Sequence, residues 1–182
     1  MNLDHFLEEI RKPHAKPGGG AVVIYIANMA VNLSLMMDKK NWGELENQAN
    51  VSYETMIKIS EDLKKLGADD IYYTNLMLDE FKKSSKVDRK FFIDAAKPQI
   101  QMNKLCLDAM NILGFYLEHG KKTTISDGEI ANELLRAAVL SSIPTIKINL
   151  GGEETKKMVG RTLEEIETLY KKNKKIIERR TL

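Results

Sequence analysis

The sequence predicts an all-α protein, a single-domain helical bundle over residues 1–182 that is wrapped around a buried central helix. Apolar residues recur at helical spacing along most of the chain, and no alternating segment is bounded by hairpin turns. No internal repeat, low-complexity tract or linker divides the 182 residues, a length that suits one domain with a full core.

Helical periodicity divides the chain into a series of predicted helices. Gly67 is expected to separate the third from the fourth, Pro98 to kink the fifth, and Pro144 to separate the sixth from a short segment, TIKINL, of undecided structure. The run KKNKKIIERR in the last helix is expected to be a solvated face with a frayed end. The predicted helices cover approximately residues 2–11, 21–37, 45–66, 68–82, 89–117, 127–141 and 153–179.

The central helix is predicted at residues 21–37, which are almost entirely apolar. This run is at the short limit for crossing a membrane and carries Asn28, Asn32 and Ser34. We interpret it as a core helix buried on nearly all sides, and we expect no membrane span. A helix that is apolar all round needs neighbours on every side, so the other helices should surround it.

The composition argues against several functional classes. The net charge of +2, from 28 basic and 26 acidic residues, gives no indication of nucleic-acid binding. The single Cys106 cannot form an intrachain disulfide and suits a reducing cytoplasm, and the charged N-terminus does not resemble a signal peptide. His5, His14 and His119 lack metal-ligand spacing, and the sequence has neither a Walker loop nor a GxGxxG motif after a strand. We therefore expect a cytoplasmic protein that works without a metal or cofactor.

Three glycines, Gly18, Gly19 and Gly20, follow Pro17 immediately before the central helix. Backbone N–H groups at a helix N-terminus are free, and the helix dipole there favours negative charge. A residue without a Cβ also lets a ligand touch the backbone. The triplet is therefore either a ligand site or a turn that allows tight helix packing, and the local pattern favours neither.

A second motif lies before the sixth predicted helix. Ser126 and Glu129 fit an S-x-x-E capping box in front of an apolar run. Asp127 would then lie in the first helical turn, where the helix dipole favours a carboxylate. The functional alternative is that Asp127 binds an amino-heterocycle or a cation.

Two further pairs of charged residues have both structural and functional interpretations. Asp69 and Asp70 follow Gly67 and would open the fourth predicted helix, where one of them could be the N-cap. Because two tyrosines follow, the pair also suits a cationic or aromatic ligand. Lys39 and Lys40 end the central helix and complement its C-terminal dipole, or they hold a ligand carboxylate. For both pairs the structural role is favoured.

The order of the motifs is more specific than any one of them. KPGGGAVV leads into NLSLMMDKKNW, then DDIYYTNLM, and then ISDGEIANELL with KINL after it. This order resembles the cyclodeaminase/cyclohydrolase family, which contains the cyclodeaminase domain of formiminotransferase-cyclodeaminase and stand-alone methenyltetrahydrofolate cyclohydrolases. The resemblance covers approximately residues 3–150 and is best at Pro17–Gly20, Ser126–Ala131 and Asn149.

The resemblance implies a helical homodimer whose small-molecule substrate is a one-carbon tetrahydrofolate. Asp69 or Asp127 would be the catalytic residue, either stabilising the methenyl cation or acting as base for the attacking water. A second carboxylate would bind the aminopyrimidine edge of the pterin, Lys39 or Lys40 the glutamate tail, and the glycine amides a developing oxyanion. The predicted substrate-binding residues are Gly18, Gly19, Gly20, Lys39, Lys40, Asp70 and Ser126.

The sequence also departs from the family pattern. Ala21 stands where the family has a serine, Thr145 where it has an asparagine, and residues 83–104 match poorly apart from Arg89. A chain without a fused formiminotransferase domain favours hydrolysis of 5,10-methenyltetrahydrofolate to 10-formyltetrahydrofolate. The alternatives are a formiminotetrahydrofolate cyclodeaminase, which is an ammonia-lyase, and a non-catalytic folate- or pterin-binding homologue or helical interaction module.

Overall fold

The computed structural model describes residues 3–12, 17–84 and 86–181, and in these ranges the protein is helical without a strand. The prediction of an all-α domain is confirmed. Short 3-10 turns at Leu35–Met37, Gly43–Leu45 and Lys122–Thr124 connect some of the helices. The helices are α1 (Leu3–Ile10), α2 (Gly19–Ser34), α3 (Glu46–Lys83), α4 (Arg89–His119), α5 (Ile125–Leu150) and α6 (Gly152–Thr181).

Helix α3 is one continuous helix where the sequence predicts two. Gly67 does not end it, because its missing side chain serves packing between helices instead. A Cβ on Gly67 would lie 3.1 Å from Cζ of Tyr25, so the glycine lets α3 approach the tyrosine ring on α2. Asp69 and Asp70 therefore lie in the middle of a long helix, and the prediction that one of them is an N-cap is wrong.

Helix α5 likewise continues through Pro144 to Leu150, nine residues past the predicted end at Ser141. Proline removes one backbone donor, but next to it Ser142 Oγ donates to Asn103 Oδ1 of α4 at 2.9 Å and ties this part of the helix to its neighbour. Arg89 donates to the carbonyls of Asn149, at 3.0 Å, and Leu150, which fixes the end of the helix. Contacts with α4 thus override the local preference of proline.

The core is formed by α2 packed against α3, α4 and α5, with α6 covering α4 and α5. The face of α2 toward its neighbours carries Ala21, Ile24, Ala27, Ala30 and Val31, all fully buried. Small side chains at this spacing allow the helix axes to approach closely.

The opposite face of α2 is only partly covered in the single chain. Met29 is 52% exposed and Met36 50% exposed. Among the described residues, Gly19–Met37 is the one helical stretch long and apolar enough to cross a membrane, and 39% of its most apolar window is buried. The burial on nearly all sides predicted for this helix is therefore not reached within one chain.

The C-terminal helix is anchored more firmly than its composition suggests. Asn173 is buried and donates to the carbonyl of Met110 at 3.0 Å. Arg180 donates to the carbonyls of Leu117 and Gly120, the latter at 2.9 Å. The frayed end predicted for this segment is wrong, because α6 satisfies the last carbonyls of α4.

Candidate functional site

Helix α2 has two ends with different chemistry, and each of them carries predicted site residues. We call the first the glycine end, formed by Gly18–Ala21 with Asp70 and Gln99. We call the second the methionine end, formed by Met37, Gly120 and Gly128 with the adjoining residues. Helix α4 follows α2 in the same direction, because Gln99 lies beside Gly20 and Gly120 lies beside Met37.

At the glycine end, Asp70 of α3 and Gln99 of α4 meet over the first turn of α2. Asp70 is 3% exposed and Gln99 is fully buried. Gln99 Nε2 donates to Asp70 Oδ1 at 2.9 Å, and the backbone N–H of Ala21 donates to the same carboxylate. Asp70 therefore satisfies one of the free N–H groups at the start of α2, where the helix dipole favours a carboxylate.

Gly20 is the glycine that this arrangement requires. A Cβ on Gly20 would lie 2.6 Å from Asp70 Oδ1, 2.7 Å from Asp70 Oδ2 and 2.8 Å from Gln99 Nε2. A Cβ on the exposed Gly19, in contrast, would have nothing within 4 Å. The missing side chain of Gly20 thus makes room for two polar side chains of the protein itself. The roles predicted for the glycine amides toward a folate stay predictions.

The surroundings of Asp70 disfavour its ionised form. Burial raises the pKa of the Asp70 carboxyl above its ordinary value, and the hydrogen bonds from Gln99 and Ala21 offset this only in part. The second oxygen of the amide, Gln99 Oε1, is buried and accepts no hydrogen bond within the described residues. The glycine end therefore contains acceptor capacity that the described residues leave unused.

Asp69 lies on a different side of α3 from Asp70, because consecutive helical residues point about 100° apart. It lines an open groove of about 460 Å³ between α3 and α4, together with Lys65, Lys104 and Asp108. The two neighbouring aspartates therefore belong to different surroundings, and the structure does not bring Asp69 to the glycines.

Asp127 lies near the methionine end, in the first turn of α5 as predicted. The capping box is wrong, because α5 begins at Ile125 and its N-cap residue Thr124 makes no side-chain cap. Ser126 is an exposed residue inside the helix, and Glu129 pairs with Lys174 of α6 at 2.5 Å. The 3-10 turn before α5 starts the helix one residue earlier than the motif suggests.

Lys39 and Lys40 follow the 3-10 turn after α2 and do not lie in the last turn of that helix. Lys39 Nζ lies 4.6 Å from the centre of the Trp42 ring, which is a cation–π distance. Trp42 in turn donates from Nε1 to Asp38 at 3.0 Å. Lys40 is exposed, so it is the lysine with the greater freedom to meet a ligand.

The predicted site residues divide between the two ends of α2. From Gly19 to Met37 the helix and its 3-10 turn extend about 27 Å at 1.5 Å per residue. Asp127 is adjacent to Gly128, whose added Cβ would collide with Met37 Sδ, so it belongs to the far end from Asp70. One chain therefore brings Asp70 to Gly20, but it does not bring Asp127 or the lysines to the glycines.

Gln99 is the residue that sequence reasoning missed. The sequence does contain an indication of it. On α4 the buried residues Ala95, Met102 and Cys106 recur at helical spacing, and Gln99 lies on the same face of the helix. A polar residue on a buried face requires a partner, and here the partner is Asp70. Within the described residues, no three His, Cys, Asp or Glu side chains gather in a way that could hold a metal ion.

The fold and these residues define a helical domain with carboxyl groups at both ends of the apolar helix α2. The sequence profile of the formiminotransferase-cyclodeaminase family matches residues 2–168, and the chain belongs to this family. The expected resemblance is thereby confirmed. A search of curated proteins gives no match.

Among solved structures, the chain is similar to a formiminotetrahydrofolate cyclodeaminase from Thermotoga maritima. The TM-score is 0.88 at 24% sequence identity, and the match covers 100% of this chain and 98% of the other. At this identity the likeness establishes the shared fold.

Proposed function

We propose that this chain catalyses a reaction at the one-carbon bridge between N5 and N10 of tetrahydrofolate, and that the reaction is the cyclodeamination of 5-formiminotetrahydrofolate. The observation that carries the proposal is the family match over residues 2–168. The similar structure from Thermotoga maritima is that of a formiminotetrahydrofolate cyclodeaminase.

In cyclodeamination, N10 attacks the formimino carbon, the N10–C bond forms, the bond from this carbon to the formimino nitrogen breaks, and ammonia leaves. N10 must lose a proton and the departing nitrogen must gain protons, so a carboxyl group that can hold or give a proton is useful. Asp70 suits this requirement, because burial raises its pKa. Its distance from Asp127 favours separate roles for the two carboxyl groups.

The second candidate is the cyclohydrolase reaction that the sequence favours, in which water opens the methenyl bridge. Asp127 supports it. The side chain is half-buried and makes no hydrogen bond or ion pair within the described part of the chain, so its oxygens are free to accept a proton from water. It also lies in the first turn of α5, where the helix dipole favours a negatively charged side chain.

We also propose that the active form is a homodimer that packs α2 against α2 of a second copy. Met29, Met36 and Ile130 are each about half exposed and form apolar surface on α2, its 3-10 turn and α5. A twofold axis that crosses α2 near its middle would place the glycine end of one copy beside the methionine end of the other. Such a pairing would bring Asp127 and the lysines to the glycines, which one chain does not do.

Absorbance assays of both reactions test the proposal. Purified protein is incubated with 5-formiminotetrahydrofolate to follow the appearance of the methenyl product, and with 5,10-methenyltetrahydrofolate to follow its loss beyond spontaneous hydrolysis. A rate in the first assay alone supports the cyclodeaminase, and a rate in the second alone supports the cyclohydrolase. Tight folate binding with no rate in either identifies a non-catalytic homologue.

Asp127→Asn locates the chemistry. We expect about a 100-fold or larger loss of rate, as for removal of a general acid or base, with a change in unfolding free energy below about 1 kcal/mol. Glu133→Gln, the same carboxylate-to-amide change at an exposed position of the same helix, is the matched control and should keep its activity. Full activity of Asp127→Asn would show that Asp127 only stabilises the start of α5 and has no role in the reaction.

A further inference from the structure

We infer that the outer face of helices α3 and α4 binds the same face of a second copy of this chain, with patches of opposite charge brought together by a twofold axis. We call this surface the α3–α4 face. It consists of an exposed stripe of residues on α3 and the groove between α3 and α4. The surface is separate from Asp70 and Asp127, so it does not depend on the proposed reaction.

The stripe on α3 consists of residues that recur at alternating spacings of four and three. Side chains at this spacing stay on one side of a helix that packs along another helix. The stripe points away from α2, because it lies about 180° around α3 from Ser60 and Gly67, which contact α2. Six of its members are exposed and none is buried. The members are Val51, Thr55, Lys58, Asp62, Lys65, Asp69, Tyr72 and Leu76.

The groove beside the stripe places like charges at the same level. Asp70 of α3 is hydrogen-bonded to Gln99 of α4, and the two helices run antiparallel with the same rise per residue. From this register, two lysines lie level with each other, and so do two aspartates. The positive patch is Lys65 with Lys104, and the neighbouring negative patch is Asp62 with Asp108, all four of which line the groove.

The charges of the two patches are unpaired. Lys97 forms an ion pair with Asp94 at 2.6 Å, and Lys82 with Asp79 at 2.7 Å, in each case across three residues of one helix. Lys65 follows Asp62 at the same spacing, but within the described residues neither it nor the other three patch residues makes an ion pair. Charges arranged in this way are available to a partner that presents the opposite signs.

A second copy of the chain presents those signs if a twofold axis crosses α3 between residues 63 and 64. Every charged member of the stripe then lies opposite a charge of the other sign, as in a self-complementary twofold interface. The same axis crosses α4 close to Cys106, because that residue is level with the middle of the stripe. The pairs across the axis are Lys58 with Asp69, Asp62 with Lys65 and Lys104 with Asp108, and at the ends Thr55 with Tyr72 and Val51 with Leu76.

The size and composition of the face also suit an interface. The stripe is about 38 Å long and two helices are about 20 Å wide, which gives about 760 Å², close to the ~800 Å² that each partner contributes to a standard interface. Val51 is 64% exposed and Tyr72 58% exposed, so apolar surface would be buried at the ends of the stripe. Because this face and α2 lie on opposite sides of α3, one chain can use both surfaces and form a tetramer.

Sedimentation velocity over a dilution series tests the inference with two variants, Lys65→Glu and Asp62→Lys. Each change places like charges opposite each other twice, once on either side of the axis. We expect the dissociation constant of the α3–α4 contact to rise at least about tenfold in each variant. An equimolar mixture of the two variants should associate again, because one chain is then acidic and the other basic at both positions.

The matched controls are Lys64→Glu and Glu61→Lys, which make the same changes of charge at exposed positions of α3 outside the stripe. They should assemble like the unmodified protein. The double variant Asp62→Lys/Lys65→Glu exchanges the two charges within one chain and should also assemble normally. Circular dichroism establishes that each variant is folded.

A variant of the α2 surface, Met29→Lys, separates this contact from the proposed α2 dimer. Smaller assemblies for both Lys65→Glu and Met29→Lys would support two contacts, and smaller assemblies for Lys65→Glu alone would support only the α3–α4 contact. The inference would be overturned if the unmodified chain is a monomer, if Lys65→Glu and Asp62→Lys sediment like their controls, or if their mixture stays dissociated.

Discussion

The glycine end and the methionine end of α2 are both closed by a glycine without room for a side chain, but the neighbours differ. At Gly20 the neighbours are the polar tips of Asp70 and Gln99. At Gly120 they are the backbone carbonyl oxygens of Met37 and Tyr116, each 2.6 Å from the position of an added Cβ. One glycine therefore accommodates functional groups, and the other allows two chain segments to cross.

The effect of adding a side chain to a tightly packed glycine therefore depends on which atoms surround it. Side-chain tips can move aside if they give up their hydrogen bonds, whereas backbone carbonyls within a hydrogen-bonded turn cannot. At the methionine end, Met37 O accepts from Lys121 N at 2.8 Å and Tyr116 O accepts from Gly120 N at 2.7 Å. A substitution there disturbs the fold, while one at the glycine end first disturbs the candidate site.

The largest effect is expected for Gly120→Ala. Its Cβ would strike two backbone oxygens, so α2 and the end of α4 would have to separate, and we expect a loss of about 3 kcal/mol in the free energy of unfolding. Urea denaturation monitored by circular dichroism measures it. A loss no larger than that of Gly20→Ala would show that the backbone at the methionine end is free to relax, and the distinction between the two ends would disappear.

A smaller loss of about 1–2 kcal/mol is expected for Gly20→Ala, because Asp70 and Gln99 can shift when their hydrogen bond breaks. The same variant should weaken folate binding, measured by titration. Gly19→Ala is the control, since open space surrounds its position and its stability should change by less than about 0.5 kcal/mol. If Gly20→Ala and Gly19→Ala changed stability and folate binding to the same extent, the three glycines would form a simple turn without a role in binding.

The smallest effect is a change in the pH dependence of stability. The pKa of Asp70 in the folded protein is raised above its ordinary value of 3.8, so the folded state holds this proton more tightly than the unfolded state. Stability should therefore fall as pH rises from about 4 through the raised pKa, because ionised Asp70 is costly in the fold. Asp70→Asn should remove this part of the pH dependence of stability. Plots of the unfolding free energy against pH that run parallel for the two proteins would contradict the prediction.

Much of the architecture could be predicted because helical periodicity is a local property. The positions of α2, α4 and α6 follow from apolar spacing, and Asp127 lies in the first turn of its helix as expected. The errors occur where a residue with a local structural preference is overruled by distant contacts. Gly67 packs against Tyr25 and does not break α3, and Pro144 lies inside a helix whose end is held by Arg89.

The all-α class, the apolar stretch that forms α2 and the family can all be recognised from the sequence, because each depends on patterns along the chain. Tertiary packing is what places Asp70 beside the glycines and Asp69 away from them, since neighbouring residues of a helix point about 100° apart. It also selected Gln99, which shares no motif with Asp70 and lies 29 residues from it. Contacts between helices α2, α3 and α4 create the glycine end, and such contacts are not encoded in any single local segment.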